Sequence, residues 1–174
     1  MFWQYQLMSG GGNVGDRFRD DPLLWVERFA DKVLVRCPVC GECAIVLDPV
    51  GTSEYQASQG DTRLAARRLR CLVCGLSKDG FPSERVLGVP FDPYFRLPVW
   101  LQTDCRGKVL WAYNANHLNL LESYVAARLR ERRASPGSMT MVARLPAWLK
   151  SAKHRDEILR AIRRLRSSLP TAQQ

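Results

Sequence analysis

Up to about residue 114 the apolar positions fall in short β-branched or aromatic runs between polar, Gly- or Pro-rich stretches, and from Asn116 they follow a helical period. Val33-Leu34-Val35-Arg36 and Ala44-Ile45-Val46-Leu47 are short β-branched runs on either side of a tight turn, which predicts two strands. Arg67-Arg68-Leu69-Arg70 predicts a third. Residues 81–98 carry Pro82, Pro90, Pro93 and Pro98, so they predict an extended connector and exclude a helix. Val99–Thr103 and Val109–Tyr113 flank Asp104-Cys105-Arg106-Gly107, the pattern of a hairpin with Cys105 in its turn as a plain thiol.

From Asn116 the stripe is Leu118, Leu121, Val125 and Leu129, which predicts a helix. Asn114 or Asn116 can cap its start, and Ser135-Pro136-Gly137 would end it. A short helix is predicted within residues 139–149, around Leu145, Trp148 and Leu149, with Pro146 as a break or first turn. Ser151 can cap a last helix, with Asp156 and Glu157 near its positive end and Ile158, Ile162, Leu165 and Leu169 on its apolar side. Ahead of these elements, residues 8–20 read as a Gly-rich flexible leader. Asp21-Pro22 would open a short helix carrying Leu24, Trp25 and Phe29, and residues 48–62 read as an exposed loop.

Two strands run directly into the same pentapeptide pattern, Cys37-Pro38-Val39-Cys40-Gly41 and Cys71-Leu72-Val73-Cys74-Gly75, the one internal repeat in the sequence. Each Cys-x-x-Cys turn presents two sulfurs to one ion, and the glycine lets the chain fold back after the second. In a reducing compartment such pairs read as metal ligands before disulfides. Zinc suits four thiolates, because it accepts tetrahedral sulfur ligation without redox chemistry. The predicted ligands are therefore Cys37, Cys40, Cys71 and Cys74, holding one structural zinc with no position left for a substrate. Thirty residues separate Cys40 from Cys71, against ~15–20 in compact sites, and the surplus falls in the loop at 48–62. Cys43 leaves a second reading open. Cys37-x-x-Cys40-x-x-Cys43 opens like a ferredoxin iron–sulfur run, but its next expected ligand position holds Leu47.

On these two knuckles the chain resembles the zinc ribbon (rubredoxin-knuckle) family over about residues 33–80. That resemblance implies a ribbon fold with the four cysteines as ligands. Because the family serves in transcription, replication, translation and protein assembly, it implies a site rather than a function. The fold class expected is α+β: a zinc ribbon and β-hairpin followed by a basic helical C-terminal part. Residues 1–20 would be leader, 21–98 ribbon with its Pro-rich connector, and 99–170 a hairpin plus three helices sharing one core.

Charge changes the picture for the last third. The 174 residues carry a net +9. Residues 1–114 hold 14 Lys+Arg and 13 Asp+Glu, whereas residues 115–174 hold 12 and 4. Such asymmetry points to an acidic partner, of which nucleic acid is the commonest, although a helix dipole alone also favours cations in late turns. The candidate phosphate contacts are Arg128, Arg130, Arg132 and Arg133 on one helix, and Lys153, Arg155, Arg160, Arg163 and Arg164 on the last. Arg67, Arg68 and Arg70 would extend that surface. The expectation is a nucleic-acid-binding protein, DNA or RNA. The alternative is a protein-interaction adaptor, given Trp25, Trp100, Trp111 and Trp148.

Enzyme chemistry finds little support. There is no Gly-rich phosphate loop, His-Glu-x-x-His or nucleophile elbow, and no small-molecule substrate is predicted. His117 and His154 read as capping or surface residues. No apolar run approaches the ~18 residues of a membrane span, and the start is a poor signal peptide, so a cytoplasmic location without membrane contact is expected.

Overall fold

The computed structural model describes residues 17–21, 25–47, 66–81, 86–131 and 140–170. The architecture is α+β, with antiparallel sheets in the first part and a long C-terminal helix.

β1 is Arg17–Arg19, inside the stretch expected to be flexible leader. Its one buried side chain, Phe18, packs edge-on against Tyr124. The leader reading is corrected there; residues 1–16 lie outside the described residues. The helix expected from Asp21 is a 3-10 turn at Val26–Phe29, entered from Trp25 with no side-chain cap. Residues 22–24 are not described.

β2 (Lys32–Arg36), β3 (Cys43–Leu47), β4 (Arg67–Arg70) and β5 (Ser77–Gly80) form an antiparallel sheet in chain order. The first three follow the sequence expectation. β5 is too polar to show an apolar pattern and exists through its backbone pairing with β4. Register places Val33, Val46 and Leu69 side by side on the buried face. The exposed loop expected at 48–62 lies outside the described residues.

The Pro-rich connector is held by Asp92, whose carboxylate accepts the amides of Tyr94, Phe95 and Leu97 at 2.9, 2.8 and 2.6 Å. The hairpin follows as β6 (Leu101–Cys105) and β7 (Lys108–Ala112). Arg106 and Gly107, both at positive φ, make a two-residue turn, so Cys105 is a buried strand residue and not part of the turn. β2 joins hairpin and ribbon: the Leu34 amide donates to Tyr113 O at 2.8 Å, and the Trp100 amide to Leu34 O at 2.9 Å.

α1 (Ala115–Ala126) begins at Asn114, whose side chain accepts the His117 amide. The same carboxamide donates to Phe29 O and Lys32 O at 2.9 and 2.7 Å, fixing the helix start to the ribbon. α1 ends at Ala126, with Ala127 as its extended C-cap, well before Ser135-Pro136-Gly137. Leu129, expected on its stripe, instead opens β8 (Leu129–Glu131), which pairs in parallel with β1, and its side chain is exposed. Two arginines satisfy carbonyls of the last turn of α1. Arg130 donates to Tyr124 O and Val125 O, and Arg155 to Val125 O and Ala127 O.

The short helix expected within 139–149 is two single turns, α2 (Met141–Arg144) and α3 (Ala147–Lys150), divided at Leu145-Pro146. A 3-10 turn at Ala152–His154 leads into α4 (Arg155–Ser167). Ser151 precedes that turn and makes no side-chain cap. Ile158, Ile162, Leu165 and Leu169 are buried, as their spacing predicts. One cluster of buried side chains runs from Val33, Val46 and Leu69 of the ribbon through Leu101 and Leu110 to Leu118, Leu121 and Ile158.

Candidate metal centre and basic surface

The two Cys-x-x-Cys turns have matching backbones. Gly41 N donates to Cys37 O and Gly75 N to Cys71 O, each at 3.0 Å. Cys37 N donates to Glu42 O at 2.8 Å and Cys71 N to Leu76 O at 2.9 Å. Gly41 and Gly75 sit at φ +77° and +76°, the left-handed conformation in which a side chain is strained. Local sequence thus builds each turn, and sheet register brings the two together.

The sulfurs of Cys37, Cys40, Cys71 and Cys74 lie within 4.8 Å of one another, close enough to hold one metal ion. Cys37 Sγ is 3.6 Å from Cys74 Sγ, and Cys40 Sγ is 3.6 Å from Cys71 Sγ. Four sulfurs at ~2.3 Å from a tetrahedral centre stand about 3.75 Å apart, so the arrangement fits such an ion. Cys37 and Cys71 are buried and Cys40 and Cys74 exposed, which puts the site at the edge of the core.

Desolvation is the largest influence on Cys37 and opposes its ionisation. The amides of Cys40 and Val39 and the neighbouring thiols overcome it together and bring its pKa down to about 6. At Cys40 the strongest influence, the Glu42 amide, favours the thiolate. Desolvation and the crowding of the other sulfurs outweigh it and push the pKa up to about 12. The cluster ionises once with ease and resists the next negative charge.

Cys43 stands outside the group of four. It opens β3, its thiol lies 3.8 Å from Ala44 O, and burial, then Cys71 and Glu42, push its pKa up to about 11. The Cys37-x-x-Cys40-x-x-Cys43 run is therefore not brought to one point. The exposed tips of the knuckles are apolar: Val39, Leu72 and Val73 are 69%, 80% and 68% exposed.

The cationic candidates divide by what they touch. Arg128, Lys153, Arg160, Arg163 and Arg164 are exposed. Arg160, Arg163 and Arg164 share α4, and Arg164 makes one long contact, 3.4 Å to Asp104 O. The bond from Arg155 to Ala127 O puts Lys153 and Arg128 at the same corner. Arg155 itself is spent on α1 carbonyls at 3.0 and 2.9 Å, and Arg130 on carbonyls and on the Tyr124 ring, 4.4 Å away. Arg132 and Arg133 lie outside the described residues. Neither Arg128 nor Arg130 is on a helix, because α1 has already ended.

Arg67 is buried, with its guanidinium 4.8 Å from the Tyr94 ring centroid, so it adds nothing to the surface. Arg68 pairs with Asp79 at 2.6 Å. Register brings together a group that was not foreseen: Lys32, Arg36, Arg68 and Arg70 share one face of the ribbon sheet. The signal was present in the spacing: Lys32 and Arg36 lie four positions apart in one strand, which puts them on the same face. Arg36 lies 5.3 Å over Trp100, whose indole N–H donates to Ser168 O at 2.8 Å, so this face meets the end of α4.

Among the described residues no helix is long and apolar enough to cross a membrane. Compared with known protein families, curated proteins and solved structures, the chain matches none.

Proposed function

We propose that one zinc ion joins the two knuckles as a structural centre and that the protein binds nucleic acid through its exposed cations. A cytoplasmic, reducing setting keeps the thiols available for the metal. The four-sulfur geometry favours zinc, and a filled sulfur shell gives the ion a folding role with no place for a substrate. The observation that carries the binding reading is that Arg160, Arg163 and Arg164 stand exposed on one helix and form no close ion pair with a carboxylate among the described residues. Phosphates are the natural counter-charge for such a group. The ribbon-sheet cations Lys32, Arg36 and Arg70 extend the surface.

The test is a salt titration of binding to labelled duplex DNA and to single-stranded RNA. For duplex DNA, replacing all three α4 arginines by Gln should lower the slope of log affinity against log salt by about 2–3, since each phosphate contact contributes ~0.9. Absence of binding near ~100 mM salt, or an unchanged slope in the triple variant, would sink the proposal. The apolar tips Val39, Leu72 and Val73 favour a second reading, a protein-interaction adaptor. Stoichiometric copurification of one protein without nucleic acid would select it.

A further inference from the structure

His117 read as a capping or surface residue from its place near a helix start. Its backbone amide does take part in the cap, but its ring is fully buried. The ring stacks on Phe29 with centroids 4.9 Å apart and meets Trp111 edge-on at 5.4 Å. Tyr113 N–H donates to Nδ1 at 3.2 Å. A neutral imidazole that accepts at Nδ1 carries its proton on Nε2. Burial holds the ring in that neutral form, with a pKa down at about 3. Nε2 has no hydrogen-bond partner among the described residues. A buried donor left in this way is costly, and a bound acceptor removes the cost.

The same residue lines a cavity of about 320 Å³. Trp111, Leu121, Leu145, Trp148 and Leu149 supply apolar walls. Arg144 also lines it, is exposed, and pairs with no carboxylate among the described residues. A mostly apolar hollow of this size with few polar groups is how small-molecule sites are built. The metal centre lies elsewhere, and the phosphate-binding reading uses none of these side chains.

We propose that this cavity binds a small aromatic or aliphatic carboxylate. Its apolar body packs between the tryptophan and leucine walls, while His117 offers its oxygens a neutral donor and Arg144 a cation. The class follows from the lining. Apolar walls select an apolar body, a neutral buried N–H selects an oxygen acceptor, and a guanidinium that pairs with no carboxylate among the described residues selects an anion. The rival occupant is a single ordered water on Nε2.

The test uses the full metal-loaded chain with 2-naphthoate and its neutral amide. Binding is followed by tryptophan fluorescence and by the histidine nitrogen resonances. The expected result is saturable binding of both compounds, with Nε2 of His117 shifting in each. Arg144→Gln lies on the surface and should leave the fold intact. It should weaken naphthoate about tenfold, the worth of one charged hydrogen bond, and leave the amide nearly unchanged. No saturable binding up to millimolar concentration, an unmoved Nε2 resonance, or an equal effect of Arg144→Gln on both compounds, including none, would overturn the proposal.

Discussion

Around the knuckles, four sulfurs organise the chain and apolar tips face outward. Around α1 and α4, buried leucines and isoleucines organise it, and arginines tie off loose carbonyls. The ribbon contributes Val33, Val35, Val46 and Leu69 to the core from one sheet face and Leu34 from the other, whereas the helical part packs α1, α4 and the hairpin against each other. With the same solvent and one continuous core, the two regions depend on different conditions. If a metal joins the four sulfurs, that region answers to metal and thiol chemistry, and the apolar one to packing and to protonation of what is buried.

Metal removal probes that difference with the largest expected effect. If a structural zinc contributes on the order of 10 kcal/mol, a strong chelator should abolish amide-exchange protection in β2–β5 before it does so in α1 and α4. Simultaneous loss across both regions would show that the shared core, and not the sulfur site, sets the cooperativity. Cys71→Ser should reproduce the chelator's pattern.

Acid probes the other side. His117 has a folded pKa near 3 against an unfolded value near 6.5, so the unfolded chain binds the extra proton between those limits. Its contribution to stability is complete above ~pH 6.5 and is lost as pH falls toward 3, by about 1.4 kcal/mol per unit. Denaturant titrations at pH 7 and pH 5 should therefore differ by ~2 kcal/mol more for the native sequence than for His117→Phe. Protonation of the clustered thiols would act on both proteins in the same direction, which is why the difference between them is the readout. Equal pH dependence would place the sensitivity in the ribbon alone.

What the sequence made legible follows the range of the cause. The knuckles were readable because their geometry is local: two cysteines three residues apart, followed by a glycine at positive φ. The buried stripe of α4 was readable because period and burial coincide. The end of α1 was not. No glycine or proline stops it at Ala127; Arg155, Arg130 and the pairing of β8 with β1 do so, and two of these partners lie far along the chain. β5 was missed because Ser77-Lys78-Asp79-Gly80 buries almost nothing and pairs through its backbone. His117 was misjudged because a cap position and a core position can be the same residue: its amide belongs to one and its ring to the other. The fate of each arginine was likewise invisible, since composition counts charge but not its partner.

Asn114 tests how firmly the two regions are joined. Its carboxamide caps α1 on one side and holds Phe29 O and Lys32 O on the other. Asn114→Ala removes a cap worth ~1 kcal/mol and deprives two carbonyls of a donor, so a loss of about 2–3 kcal/mol is expected in denaturant titration. Asn114→Asp should keep the cap and lose only the two donated bonds, falling between the native sequence and the alanine variant. If Asn114→Asp matches the native stability, the tie to the ribbon contributes nothing and the regions meet only through side-chain packing.

The smallest effect separates two kinds of arginine on one helix. Arg155 and Arg163 are eight residues apart on α4 and identical in composition. Arg155 closes the carbonyl end of α1, while Arg163 is exposed. Arg155→Gln should cost about 1–2 kcal/mol, because buried carbonyls lose charged donors. Arg163→Gln should stay within about 0.5 kcal/mol of the native protein. Binding should reverse the order, with the Arg163 change flattening the salt slope for nucleic acid and the Arg155 change leaving it alone wherever the fold survives. A cation already satisfied by the protein's own carbonyls is unavailable to a phosphate, so the net charge of this region overstates its binding capacity. Arginines that touch nothing else give the better measure.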